Sequence, residues 1–174
     1  SKANPRVIIL GAGRPYRGDN PSALIHTSGN RRALDWTLDA FNRVMDAEIH
    51  FVGGYRLDEV VRAFPQIYIS VNPNWASQGS LGSLLAAPLA KDKITYVCYS
   101  DIVFSSETVR LLQDAPGDVI LVADRAWRHR YSARSEADLA AAEKLRIVDG
   151  RIEEFDSTIP VERADAEFVG VLKL

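Results

Sequence analysis

Three places in the chain carry residue types that could do chemistry together. Gly11-Ala12-Gly13 follows directly on the apolar run Arg6-Val7-Ile8-Ile9-Leu10, so small residues occupy the exit of a buried strand. Backbone N–H groups there can approach an anion closely, and phosphate is the usual one. Arg14 and Arg17 come next, and two guanidinium groups beside a glycine turn suit an anionic ligand, although a surface arginine is most often simply solvated. Asp101 follows the apolar run Ile94 to Tyr99, at the carboxyl end of a second buried strand. A carboxylate at that position is a hard oxygen ligand suited to Mg²⁺, and aspartate is equally at home as a helix cap or in a turn. The third place is Arg125-Ala126-Trp127-Arg128-His129-Arg130-Tyr131, followed by Arg134. Aromatics interleaved with guanidinium groups suit an acceptor bearing phosphate or phosphonate, with Trp127, Arg130 and Tyr131 as contacts. A solvated loop anchored by one tryptophan explains the same run. His26, His50 and His129 are scattered without ligand spacing, and no nucleophile constellation is present.

The glycine loop is not a dinucleotide fingerprint, because Tyr16 stands where a third glycine is needed and Gly18 starts a turn. The P-loop spacing fails too, since no Gly-Lys-Ser/Thr follows.

The elements that must hold these residues alternate. Arg6 to Leu10 is a continuous apolar run of the kind buried on both faces of a parallel sheet. Leu34, Leu38, Phe41 and Met45 recur at helical spacing, which predicts an amphipathic helix over 33–45. Ile49 to Val52 reads as a strand, Leu57 to Phe64 as a helix and Ile67 to Ile69 as a third strand. Gly79 to Leu89 reads as helical. Ile94 to Tyr99 and Val119 to Ala123 suit central strands, with a helix near Glu107 to Gln113 between them. Lys144 to Val148 and Arg151 to Phe155 flank Asp149-Gly150, a strong hairpin signal, and Glu167 to Leu174 forms a last strand. Strand and helix in alternation imply an α/β fold with a parallel sheet.

With 174 residues, 47% hydrophobic and 25% charged, one globular domain is the default. Its 21 basic and 23 acidic residues are mixed along the chain, so no broad positive field exists for nucleic acid or an anionic membrane. Any anion must be held locally. A single cysteine, Cys98, sits in an apolar run and fits a reducing compartment; no stretch is long and apolar enough to span a bilayer, and the start lacks a signal-peptide layout. The chain therefore reads as cytoplasmic, with no nucleic-acid or membrane partner.

Leu10-Gly11-Ala12-Gly13-Arg14-Pro15-Tyr16-Arg17 resembles the signature loop of the nucleoside-triphosphate transferases, or nucleotidyltransferases. In that loop a strand leads into small residues and a glycine, then an arginine, then Pro-Lys-x-Leu. Gly13 matches the signature glycine and Arg17 the signature arginine, while Pro21-Ser22-Ala23-Leu24 fills the last slot with Ser22 in place of lysine and Pro15 stands where glycine is usual. Leu34-Asp35-Trp36, Val52-Gly53-Gly54-Tyr55, the segment from Asn72 to Ser83-Leu84, and Tyr99-Ser100-Asp101 resemble later family elements. The end of the chain, from Asp124 through Ala142-Glu143-Lys144 to Val171, is most similar to the cytidylyltransferase branch acting on phosphocholine or phosphonates.

The resemblance implies a three-layer α/β/α, Rossmann-like, glycosyltransferase-A-like fold over residues 1–174 with a mainly parallel sheet. It also implies a nucleoside triphosphate held by Leu10, Gly11, Ala12, Gly13, Arg14, Ser80 and Ser83, with Arg17 and Asp101 catalytic and Asp101 on Mg²⁺. Ser80 and Ser83 serve equally well as cap and packing residues. The reaction implied is attack by a phosphate or phosphonate oxygen on the α-phosphorus with pyrophosphate leaving, which needs positioning and charge neutralisation rather than a covalent nucleophile. Two alternatives stay open: a nucleotide-binding or regulatory domain without turnover, and a sugar-1-phosphate nucleotidyltransferase. The chain is shorter than complete enzymes of the family, so a compact variant, a part of a larger protein, a homodimer or a fusion to another enzyme domain is expected.

Overall fold

The computed structural model describes residues 4–130, 133 and 135–174. They form two compact units, one reaching to Ile120 and including Leu172–Leu174, the other spanning Leu121–Val171.

The first unit holds β1 (Arg6–Gly11), β2 (Glu48–Gly53), β3 (Tyr68–Val71) and β4 (Thr95–Tyr99), in the order β3-β2-β1-β4 with all three pairings parallel. Its helices are α1 (Ala33–Asn42), α2 (Leu57–Ala63), α3 (Ser80–Leu85) and α4 (Ser106–Asp114). β1 is apolar from Val7 to Leu10 because both its faces are covered there. Ile8 and Leu10 pack with Val52 and Val97 against Leu84, Ala86 and Ala87. Val7 and Ile9 alternate to the other face, where Phe41 of α1 meets Tyr96 of β4 edge to face at 5.7 Å.

The α1 helix is shorter than the 33–45 stripe suggests. It ends at Asn42 with Arg43 as its cap, and in the closing turn Phe41 O accepts from both Val44 N and Met45 N, at 2.9 and 3.0 Å. The α3 helix is also shorter than expected, closing at Leu85 with Ala86 as its cap, ahead of Pro88.

The second unit contains β5 (Ile120–Asp124), α5 (Trp127–Arg130), α6 (Glu136–Ala141), β6 (Lys144–Val148), β7 (Arg151–Asp156) and β8 (Ala166–Lys173). Here β6 pairs antiparallel with both β7 and β8, and β5 pairs with β8. Asp149 and Gly150 both take left-handed φ, 49° and 74°, so β6 and β7 meet through the expected two-residue hairpin. The β5 strand is half-buried rather than central. Neither α5 nor α6 is expected from apolar periodicity, because both are short. The α6 helix starts at a capping box, with Ser135 Oγ accepting from Asp138 N. Its carboxyl end is closed by the buried Lys144, whose Nζ donates to the carbonyls of Leu139, Ala140 and Ala142 at 3.0, 3.0 and 3.1 Å. Among the described residues no helix is long and apolar enough to cross a membrane.

At the amino ends of β1 and β2 a charge cluster fixes their register. Glu48 Oε1 accepts from Lys93 Nζ at 2.6 Å, and Oε2 accepts from Arg6 Nε and Nη2 at 3.1 and 2.9 Å. Lys93 first, then Arg6, holds the Glu48 carboxyl at about 2, against an ordinary 4.5. The folded value lies below the unfolded one, so the stabilisation is complete above the ordinary carboxylate range and is lost as pH falls towards the folded value. Glu48→Gln is expected to lower the urea midpoint at neutral pH, and the gap from the wild type should close as pH drops from about 5 to about 2.5. A gap that stays constant over that range contradicts the assignment.

Candidate functional site

Parallel pairing brings the ends of three strands level. Gly11 stands opposite Gly53, Leu10 opposite Tyr99, and Ser100 N donates to Leu10 O at 3.1 Å. Gly11, Gly53 and Ser100 therefore share the carboxyl edge of the sheet, where ligands bind in open α/β proteins.

Each small residue of the loop has a separate reason to be small. A Cβ on Gly11 would lie 2.4 Å from Phe51 Cζ and 2.8 Å from Ser100 Oγ, so the strand exit is closed by packing. Ala12 is buried, and its carbonyl accepts from Tyr55 N at 2.8 Å. A Cβ on Gly13 would meet nothing within 4 Å, so the backbone there faces open space and a ligand can approach it. Leu10 contributes its side chain to the core and its carbonyl to Ser100, which leaves its ligand role to its position alone.

The loop from Gly13 to Asn20 is exposed and tethered at its far end. Tyr55 Oη and Arg56 Nη1 both donate to Asp19 O, at 2.9 and 2.8 Å. Arg56 takes left-handed φ, 47°, just before α2, and its Nε donates to Glu59 at 2.7 Å. Next comes Ser22, in the slot that carries lysine in the resembled signature. Its Oγ lies 2.6 Å from Ser100 Oγ, and Ser100 is buried. A neutral hydroxyl pair thus bridges the end of the loop to the end of β4.

Asp101 is exposed, one residue beyond that pair. It does not cap α4, whose cap is Ser105, so of the two structural roles open to it only the turn remains. Among the described residues no group of three His, Cys, Asp or Glu side chains is gathered to hold a metal ion. A single carboxylate is nonetheless compatible with Mg²⁺, which is commonly held by one or two carboxylates plus substrate phosphates.

Ser80 is exposed at the first turn of α3, and Gly79 occupies the cap position. Ser83 is buried, and Asn72 Nδ2 donates to its Oγ at 3.2 Å while Asn72 Oδ1 accepts from Asn74 N. Ser83 therefore has a packing role, and the asparagine organises the chain leading to Trp75.

The residues expected to contact an acceptor fare differently. Trp127 is 1% exposed and packs with Ala142, Ile159 and Ala164, so its placement as an acceptor contact is corrected to that of a core anchor. An indole this deeply enclosed has no face left for a ligand. Arg128 lies against its ring and donates to the carbonyls of Val161 and Ala164. Arg130 is exposed and pairs with Asp124 at 3.0 Å, and Tyr131 and Arg134 lie outside the described residues. Tyr55 and Trp75 enter the sequence only as members of the Val52-to-Tyr55 and Asn72-to-Leu84 resemblances, with no site role attached to either ring. The signal for Trp75 is Gly54, which leaves space for its indole to rest on the backbone, whereas Gly53 makes room for Leu57.

An open glycine backbone lies at the carboxyl edge of a parallel sheet, with two arginines in the loop that follows and a carboxylate just beyond β4, and the fold is that of the nucleotidyltransferases. No protein-family model matches the chain. The CTP:phosphoglutamine cytidylyltransferase of Campylobacter jejuni is 24% identical over an alignment of 182 positions, covering 95% of this chain and 71% of that protein. The inositol-1-phosphate CTP transferase of T. maritima superposes with a TM-score of 0.68 at 16% identity, over 100% of this chain and 72% of its own. The CTP:phosphocholine cytidylyltransferase of Streptococcus pneumoniae gives 0.63 at 16% identity, over 98% and 71%. The chain shares the fold of these proteins, and its sequence is similar to that of a cytidylyltransferase.

The packing around Gly11 yields a direct test. Gly11→Ala is expected to push Phe51 or Ser100 out of place and cost about 1–3 kcal/mol in chemical denaturation, whereas Gly13→Ala should be within about 0.5 kcal/mol of wild type. Equal losses at the two positions would contradict the division of roles.

Proposed function

We propose that the chain transfers a cytidylyl group from CTP to a phosphate or phosphonate oxygen of a small acceptor, releasing pyrophosphate. The observation that carries this reading is the convergence of the Gly11–Gly13 backbone, Arg14 and Asp101 at the carboxyl edge of β1, β2 and β4. The related proteins that use CTP support the choice of nucleotide.

The residues divide the work. The loop N–H groups and Arg14 hold the triphosphate, with Arg17 at the loop tip closing over it. Asp101 would hold Mg²⁺ together with the phosphates. When bound, the ion neutralises charge between two anionic reactants. The acceptor oxygen attacks the α-phosphorus in line, and the bond from that phosphorus to the β-bridging oxygen breaks to release pyrophosphate. No side chain needs to become covalently attached. Exposed Ser80 stays within the nucleotide-contacting set, and Arg130 with Tyr131 in the acceptor-contacting set. A cytoplasmic setting suits the lone Cys98, which is buried and whose thiol burial pushes well up from its ordinary value.

One observation favours a second reading, nucleotide binding without turnover. Ser22 offers a neutral hydroxyl already engaged with Ser100, so the loop has one cation fewer than the resembled signature.

Pyrophosphate release with Mg²⁺ and each of the four nucleoside triphosphates separates the readings. The acceptor panel is phosphocholine, aminoethyl- and hydroxyethylphosphonate, phosphoglutamine and sugar 1-phosphates. The expected result is release with CTP and one phosphate- or phosphonate-bearing acceptor, reduced by at least about 100-fold in Asp101→Ala. Release with a sugar 1-phosphate alone would replace the acceptor class, and tight CTP binding with no release across the panel would support the second reading.

A further inference from the structure

The loop after β1 carries two guanidinium groups, and they are held very differently. Arg14 Cζ lies 5.1 Å from the centre of the Tyr55 ring and 6.0 Å from that of Trp75. Those rings meet edge to face, with centres 5.5 Å apart and planes at 63°. Arg17 lies 5.9 Å from the ring of Tyr16, which is itself 86% exposed at the loop tip and gives no fixed support. Among the described residues no carboxylate pairs with either arginine.

The seat under Arg14 is built independently of Arg14. Tyr55 ties both ends of the loop, its N donating to Ala12 O and its Oη to Asp19 O. Trp75 rests directly on Gly54, where an added Cβ would fall 2.5 Å from the indole Cγ and Cδ1 and 2.6 Å from its Cβ. Trp75 N donates to Asn72 O, Asn72 N donates to Gly53 O, and Asn72 is buried. The two rings are thus fixed to the end of β2 before any ligand arrives. A guanidinium group stacked on aromatic faces keeps its N–H edge free for a phosphate, and a side chain already ordered loses less freedom on binding.

We propose that Tyr55 and Trp75 are positioning residues that preorganise Arg14, and that Arg14 rather than Arg17 supplies the fixed cation for the phosphates of the nucleotide. This inference rests on the nucleotide reading of the site. Arg17, at the unsupported tip, orders only when a ligand is present.

The first measurement needs no nucleotide. In the free protein the Arg14 side-chain protons are expected to show ring-current shifts by NMR that vanish in Trp75→Ala. Unshifted Arg14 protons in the wild type would overturn the seat itself. The second measurement is calorimetric affinity for CTP with Mg²⁺. Trp75→Ala is expected to weaken it about three- to tenfold, and Trp75→Phe should restore most of the loss. Arg14→Ala should weaken it at least as much, and the Arg14→Ala/Trp75→Ala double variant no more than Arg14→Ala alone. Gly54→Ala, which displaces the indole while leaving Arg14 and Tyr55 in place, should reproduce the Trp75→Ala loss. Multiplying losses in the double variant, or a larger effect from Arg17→Ala than from Arg14→Ala, would overturn the assignment to Arg14. Ring-current shifts in a wild-type protein that binds no nucleoside triphosphate would leave the seat standing and remove both the phosphate role of Arg14 and the nucleotide reading.

Discussion

Parallel pairing of β1 with β2 on one side and β4 on the other is the constraint from which the rest of the first unit follows. The pairing register is unbroken from Arg6 to Gly11, and it delivers Gly11, Gly53 and Ser100 to one edge of the sheet. A sheet edge crowded by side chains could not accept a phosphate, and here the crowding is avoided locally. Phe51 and Ser100 fill the space that a side chain at position 11 would need, so the backbone turns away from the sheet at once. The opposite edge carries the Arg6, Glu48 and Lys93 cluster. One end of the same strands is thus closed by paired charges, while the other presents unpaired ones.

The unpaired charges are arranged with unequal freedom. Arg14, Arg17 and Asp101 are all exposed, but Arg14 lies on two rings whose positions are set by β2 and by Asn72, whereas Arg17 rests only on the exposed Tyr16. A site with one ordered cation and two adaptable groups can receive a ligand of fixed charge and variable shape. The neutral Ser22–Ser100 pair anchors the returning loop to the end of β4 without adding a charge there.

Much of this is legible in the sequence, and the reasons for the rest are physical. β1 and β4 are readable because strands covered on both faces are nearly continuous apolar runs, β2 because Ile49, Phe51 and Val52 lead into Gly53-Gly54, and the β6–β7 hairpin because Asp149-Gly150 fits a left-handed turn. The glycine loop can be read as an anion site, but which glycine serves packing and which serves access cannot, because that depends on Phe51 from a different strand. Trp127 misleads for a similar reason. An aromatic among arginines looks like a binding surface until Ala142, Ile159 and Ala164, all distant in sequence, close over it. Ser22 is legible only as a missing lysine, and its bond to Ser100 spans 78 residues. The seat of Arg14 is hidden because cation–π contacts leave no periodic trace in a sequence.

The central claim is that a nucleoside triphosphate binds at the carboxyl edge of β1, β2 and β4. Backbone amide mapping by NMR during titration with CTP and Mg²⁺ tests it most directly. The largest shifts are expected on Gly11 to Arg14, Tyr55, Ser100 and Asp101, with β7 unmoved. Shifts centred on β6 and β7, or no change anywhere up to millimolar CTP, would contradict it.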